Sequence, residues 1–123
     1  MSTAARILLV EDEMIISTFV RRFLTSIGYE VDVTETGEAA LEQALTQEYG
    51  LIICDMHLSQ MDGATLYGKL HPERPALRWL VLTGDSLSER SRVFLDRNRL
   101  PVLFKPFTLD ELQGHVQRIL GTS

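Results

Sequence analysis

Apolar residues recur along this chain in two rhythms. Ile7-Leu8-Leu9-Val10 after Arg6, Leu51-Ile52-Ile53-Cys54 before Asp55, and Trp79-Leu80-Val81-Leu82 after Arg78 are uninterrupted apolar runs. Such runs suit strands buried on both faces, the kind found in parallel sheets covered by helices. Val102-Leu103-Phe104 is a shorter run of the same kind, and Tyr29 to Thr34 alternates as a half-buried strand does. Between these runs the period lengthens. Ile16, Phe19, Val20, Phe23, Leu24 and Ile27 recur at intervals of three and four, one face of a helix that Gly28 closes. Thr36 offers an N-cap to a second helix with Ala40, Leu41, Ala44 and Leu45 inward. Asp62-Gly63 serves as cap and turn before a short third helix carried by Leu66 and Leu70 and weakened by Gly68. After the loop His71-Pro72-Glu73-Arg74-Pro75, Ser86 and Glu89 have capping-box spacing and open a fourth helix to about Arg97. Its apolar positions, Leu87, Val93 and Phe94, are sparse, so it is expected to be loosely held. Thr108 and Glu111 form a second capping box, and Leu109, Leu112, Val116 and Ile119 give the last helix its buried stripe before Gly121.

Five strands alternating with five helices predict one α/β layer domain spanning 1–123, built on a parallel sheet. Composition narrows the function classes. Against 12 Lys and Arg stand 17 Asp and Glu, a net charge of -5, so the field of the whole molecule repels phosphate backbones and direct nucleic-acid binding is not expected. No apolar run approaches a membrane span and no signal peptide opens the chain, which predicts a cytoplasmic protein without membrane insertion. The lone Cys54, inside an apolar strand, reads as a small core residue.

The chemistry gathers where strands end. The first run leads into Glu11-Asp12-Glu13, the third into Asp55, the fourth into Thr83 and the fifth into Lys105. A parallel sheet points all of these ends the same way, into the crevice where open α/β sheets bind ligands. Glu11, Asp12 and Asp55 brought together repel one another unless a cation compensates. Hard oxygen ligands in a small hydrated site select Mg²⁺, which keeps several waters and accepts carboxylates together with phosphate oxygens. Lys105 adds a fixed positive charge for the same phosphate, Asp55 is the natural nucleophile, and the Thr83 hydroxyl is placed to donate to a phosphoryl oxygen. Trp79, Phe94, Phe104 and Phe107 read as core or helix-docking residues, and His57, His71 and His115 lack metal-ligand spacing.

Leu8-Leu9-Val10-Glu11-Asp12-Glu13, Asp55 with Leu58 and Met61-Asp62-Gly63, Leu82-Thr83-Gly84 and Lys105-Pro106-Phe107 together resemble the receiver domain of bacterial two-component response regulators. The resemblance implies a doubly wound, flavodoxin-like (βα)5 fold with helices on both faces and strand order 2-1-3-4-5. It implies that Asp55 accepts a phosphoryl group from a sensor histidine kinase or a histidine phosphotransfer protein. Asp12 would ligate Mg²⁺ directly and Glu11 through water, with Asp55 and the backbone carbonyl of His57 completing the protein ligands. Thr83 and Lys105 would contact the phosphoryl oxygens. Positions two after the phosphoacceptor and two after the Thr, here His57 and Asp85, tune phosphoryl lifetime in this family.

Three positions depart from the family pattern. Glu11 replaces the more frequent Asp, Ser59 stands where many receivers have Pro, and Val102 occupies the switch position where many carry Tyr or Phe. Two other classes fit the residues less well. An aspartate-nucleophile phosphatase of the haloacid-dehalogenase type needs a second Asp two residues after the first, where this chain has His57; a phosphate-independent pseudo-receiver would have lost acidic, Thr or Lys positions that are all present. A signalling phosphoacceptor, not an enzyme in the usual sense, is therefore expected. A stand-alone regulator and a piece of a hybrid kinase both fit a chain that stops soon after its last helix.

Overall fold

The computed structural model describes residues 6–84 and 87–121. Strands β1 (Arg6–Val10), β2 (Glu30–Thr34), β3 (Leu51–Asp55), β4 (Arg78–Thr83) and β5 (Val102–Phe104) alternate with helices α1 (Met14–Ser26), α2 (Gly37–Thr46), α3 (Gly63–Leu70), α4 (Glu89–Arg97) and α5 (Leu109–Leu120). All strand pairs are parallel and the order is β2-β1-β3-β4-β5, as the sequence predicts. The order reverses direction between β1 and β3, which places the crevice at their carboxyl ends.

Because side chains alternate across a strand, the uninterrupted runs feed two cores at once. Ile7, Leu9, Leu51, Ile53, Leu80, Leu82 and Leu103 point to one face, covered by Val20 and Leu24 of α1 and Leu112 and Val116 of α5. Leu8, Val10, Ile52, Cys54 and Trp79 point to the other, covered by Ala40 and Ala44 of α2 and Leu66 and Leu70 of α3. Farther along that second face, Met56 and Val81 meet Leu95 of α4. Central β3 is buried along its whole length.

Side-chain caps set most helix starts. Thr36 accepts from the amide of Ala39, Asp62 from Thr65, and Thr108 and Glu111 form the full reciprocal box. Gly28 and Gly121, both at positive φ, end α1 and α5. Gly63 is needed for its lack of a side chain. A Cβ there would lie 3.2 Å from both the Asp55 carbonyl oxygen and Met56 Cα, so its bare backbone lets α3 start against the end of β3. The Gly63 amide donates to the Met56 carbonyl across that contact at 3.0 Å.

Several local expectations are corrected. Ser88, not Ser86, caps α4, accepting from Ser91; Ser86 lies outside the described residues. The buried anchor of α4 is Leu95, whereas Val93 is exposed. Phe19 and Leu45, predicted inward, lie at the edges of their helical stripes and are partly exposed, and Phe104 is half-exposed at the end of β5. The weak third helix does form, because Leu66 and Leu70 are fully buried in spite of Gly68. Burial pushes the Cys54 thiol pKa up, the Asp55 charge adding to it, which keeps the thiol protonated and suits a core residue.

Candidate functional site

The ends of β1, β3, β4 and β5 converge on one crevice. Val10 is buried, and the chain leaves β1 with Glu11 fully buried beside an exposed Asp12. Glu11 sits there because its amide continues the sheet, donating to the Thr34 carbonyl, while its own Oε2 accepts the amide of Glu13 at 3.0 Å. Asp55 ends β3 almost completely buried, and its Oδ1 accepts the amide of His57 at 2.9 Å. Glu11, Asp12 and Asp55 each offer an oxygen within 4.8 Å of the others. These three residues could together hold a divalent cation.

Lys105 reaches into the same place from the end of β5, where its amide donates to the Thr83 carbonyl at 2.7 Å and its peptide with Pro106 is cis. Its Nζ lies 2.8 Å from Asp55 Oδ2, 3.1 Å from Glu11 Oε1 and 3.1 Å from Glu13 Oε1. Burial alone would lower the Lys105 pKa, but the hydrogen bond to Asp55, that carboxylate's charge, and contacts with Glu13 and Glu11 outweigh it and hold the ammonium above the ordinary lysine range. The Glu11 pKa is raised as well, which for a carboxyl favours the neutral form. Desolvation raises it to about 7, the bond from the Glu13 amide opposes this, the Asp55 charge adds to it, and Lys105 offsets part of it. The crevice thus carries more negative charge than its lysine compensates.

Thr83 closes the wall. It is fully buried, and its Oγ1 has no hydrogen-bond partner among the described residues. A buried hydroxyl left without a partner is costly, and this one stands on the residue whose carbonyl accepts the amide of Lys105. An all-oxygen anionic cluster, a lysine and an unpaired hydroxyl suit a small hard cation and an anionic group with oxygens to share.

The structure therefore brings Glu11, Asp12, Asp55 and Lys105 together, with Thr83 joined to Lys105 through its main-chain carbonyl. His57 follows Asp55 with an exposed side chain, and Val102 is half-buried on β5 two residues before Phe104. Asp85 lies outside the described residues. Glu13 is the residue that sequence reasoning passed over; the third acid after β1 was its visible signal. His71, one of the histidines set aside as ligands, stacks on Tyr67 with ring centroids 4.8 Å apart.

On the α1 side, Met14, Ile15 and Phe19 are exposed, and Phe19 with Ile16, Glu13, Lys105 and Phe107 lines a hollow next to the crevice. No helix among the described residues is long and apolar enough to cross a membrane.

The sequence profile of the response regulator receiver domain matches residues 7–117. The chain is 32% identical over 115 residues to the transcriptional regulatory protein ZraR of Escherichia coli (strain K12), covering 94% of this chain and 26% of that protein. It thus spans about a quarter of that relative's length. Among solved structures, a CheY-like receiver domain protein of Methanospirillum hungatei JF-1 superimposes with a TM-score of 0.90 at 27% identity, over 98% of this chain and 95% of that one. The receiver domain of the sensor histidine kinase PA1611 of Pseudomonas aeruginosa PAO1 gives a TM-score of 0.86 at 30% identity, over 97% and 99%. That structure has a magnesium ion coordinated in its active-site cleft.

Proposed function

The chain belongs to the response regulator receiver domains, and on that premise we propose that Asp55 is its phosphoacceptor, taking a phosphoryl group from a phosphohistidine of a sensor histidine kinase or a histidine phosphotransfer protein. The observation that carries this reading is the setting of Asp55. It is a buried carboxylate at the end of the central strand, 2.8 Å from an ammonium and in reach of two further carboxylates.

Glu11, Asp12, Asp55 and the backbone carbonyl of His57 are the proposed ligands of Mg²⁺. When bound, that ion neutralises charge between the carboxylates and the phosphoryl oxygens. The remaining work falls to the protein. Its β3 terminus holds the Asp55 carboxylate at a fixed point, with the His57 amide restraining one oxygen. A carboxylate oxygen of Asp55 attacks phosphorus, the bond from phosphorus to the donor imidazole nitrogen breaks, and its electron pair stays on that nitrogen. The product is an acyl phosphate. Lys105, held beside Asp55, meets an oxygen of the incoming phosphoryl group, and Thr83 donates its unpaired hydroxyl to another.

Met14, Ile15 and Phe19 give the donor protein an apolar surface beside the crevice, consistent with delivery by a protein partner. His57, exposed at the crevice mouth, is proposed to tune the lifetime of the acyl phosphate, as is Asp85. Changing either to Ala is expected to alter the dephosphorylation rate. Val102 cannot serve as an aromatic switch, because its short branched side chain has few rotamers and little reach.

Incubation with a small phosphodonor and Mg²⁺ tests the assignment. One hydroxylamine-labile phosphoryl group should appear in the mass spectrum and be absent in Asp55→Asn. An unchanged mass in the parent protein, or equal yield in the variant, overturns it.

A further inference from the structure

Lys105 has three ammonium protons and, among the described residues, three carboxylates in contact with them, which are not equivalent. The side chains of Glu11 and Asp55 are 0% and 6% exposed, whereas that of Glu13 is 61% exposed. We propose that Glu13 is a positioning residue for Lys105, holding its ammonium at the crevice mouth and being the one carboxylate that Lys105 releases when an anionic phosphodonor binds. This inference rests on the phosphoacceptor reading of Asp55.

The three contacts differ in what their loss would leave behind. In the metal-free protein, drawing Lys105 away from Glu11 or Asp55 leaves a buried carboxylate without its counter-charge, which is strongly unfavourable. Glu13 released from Lys105 is rehydrated at the surface, so its contact is of the weak, exposed kind. Its main chain does not have to move. The Glu13 amide is bound to Glu11 Oε2, and its carbonyl accepts the amide of Ser17 in the first turn of α1. Only the side chain needs to swing, and it is already largely in water.

A second consequence is electrostatic. Glu13 competes with an anionic phosphodonor for the same ammonium, so it raises the donor concentration needed for half-maximal rate while leaving the transfer step alone.

Two substitutions separate contact from charge. Glu13→Gln removes the charge, whereas Glu13→Asp keeps it but is one methylene shorter toward Lys105. Phosphorylation rates measured against acetyl phosphate concentration, with Mg²⁺, should show the half-saturating concentration falling by about two- to fivefold in both variants, the size of an exposed ion pair. The limiting rate should be unchanged. In metal-free protein the Lys105 Nζ resonance, followed by NMR with nitrogen-labelled lysine, should move in both variants. If Glu13→Asp matches the parent protein in both measurements, the effect is one of charge at the mouth and the positioning role is overturned. An unmoved Nζ resonance overturns it also. If the parent protein takes no phosphoryl group at all, the phosphoacceptor reading fails, and the Nζ resonance still decides whether Glu13 holds Lys105.

Discussion

Thr83 and Phe104 lie directly opposite each other where β4 pairs with β5, and the next residue, Lys105, donates its amide to the Thr83 carbonyl. The end of β4 is therefore tied to β5 on the side that carries the lysine. If Thr83 answers phosphorylation by shifting, this paired end is expected to move as a unit with its ladder bonds intact. The slack lies downstream, in Gly84 and α4, which among the described residues buries Leu95 alone. With Val102 in place of an aromatic ring, the response has to pass through that helix. Hydrogen exchange measured with and without phosphorylation should change in residues 87–97 and stay nearly constant at Leu103. Changes confined to β5 and α5, with α4 silent, would contradict this route.

The unpaired Thr83 hydroxyl yields a prediction with opposite signs for stability and response. Thr83→Val keeps the branched shape but removes the hydroxyl, relieving a buried unsatisfied group worth about 1–3 kcal/mol. The variant should unfold at a higher urea concentration, with a gain of about 1 kcal/mol after the loss of other local contacts. Phosphorylation should then no longer alter exchange in α4. A destabilised Thr83→Val would mean that the hydroxyl has a partner in the unphosphorylated protein.

Glu11 makes the metal-free protein sensitive to pH. Its pKa is about 7 in the fold and 4.5 for the ordinary carboxyl, so between these values the folded chain binds more protons than the unfolded one. The stability tied to that proton is present below about pH 4.5 and is lost as pH rises through about 7. A divalent cation favours the ionised form and should restore what is lost. Melting temperatures in EDTA should fall between about pH 5 and pH 8, and the gain on adding Mg²⁺ should be larger at the upper value. Glu11→Gln should flatten the metal-free profile; an equally steep profile in that variant would assign the effect to another group.

Ile15 is 86% exposed, so its removal should leave the fold unchanged. Ile15→Ala, alone or with Met14→Ala, is expected to slow transfer from a phosphohistidine protein about tenfold, the size of a lost apolar anchor in an interface. Phosphorylation by a small donor should be unaffected. Equal loss with both kinds of donor would place the defect in the crevice instead of on the docking face.

Much of this architecture was legible in the order of residues. Buried parallel strands declare themselves as apolar runs because both their faces are covered, and Ile7 to Val10 and Leu51 to Cys54 are buried throughout. Strand-end chemistry is legible for a related reason: Glu11, Asp55, Thr83 and Lys105 follow or close such runs, so the topology alone brings them together. Helix faces are less well determined. In α1 the apolar residues exceed what the core needs, and periodicity does not distinguish Phe23 against the sheet from Phe19 at the surface. In α4, Val93, Phe94 and Leu95 are adjacent, and which of them is the anchor depends on how the helix is rotated against Met56 and Val81. Glu13 was hidden for another reason. Its partner is 92 residues away, and the contact depends on side-chain reach rather than on any pattern.

Gly63 gives the fold an unexpected point of vulnerability. It opens a short helix that also contains Gly68, and a protein engineer strengthening that helix would choose Ala at both positions, since Ala is favoured over Gly by about 1 kcal/mol in a helix interior. At Gly68 a methyl group meets nothing within 4 Å, and the change should simply stabilise the protein. At Gly63 the same methyl would press on the backbone that carries Asp55. Two identical substitutions in one short helix would thus be sorted oppositely, Gly68→Ala kept and Gly63→Ala rejected, and a survey of viable variants would show that contrast at these two sites.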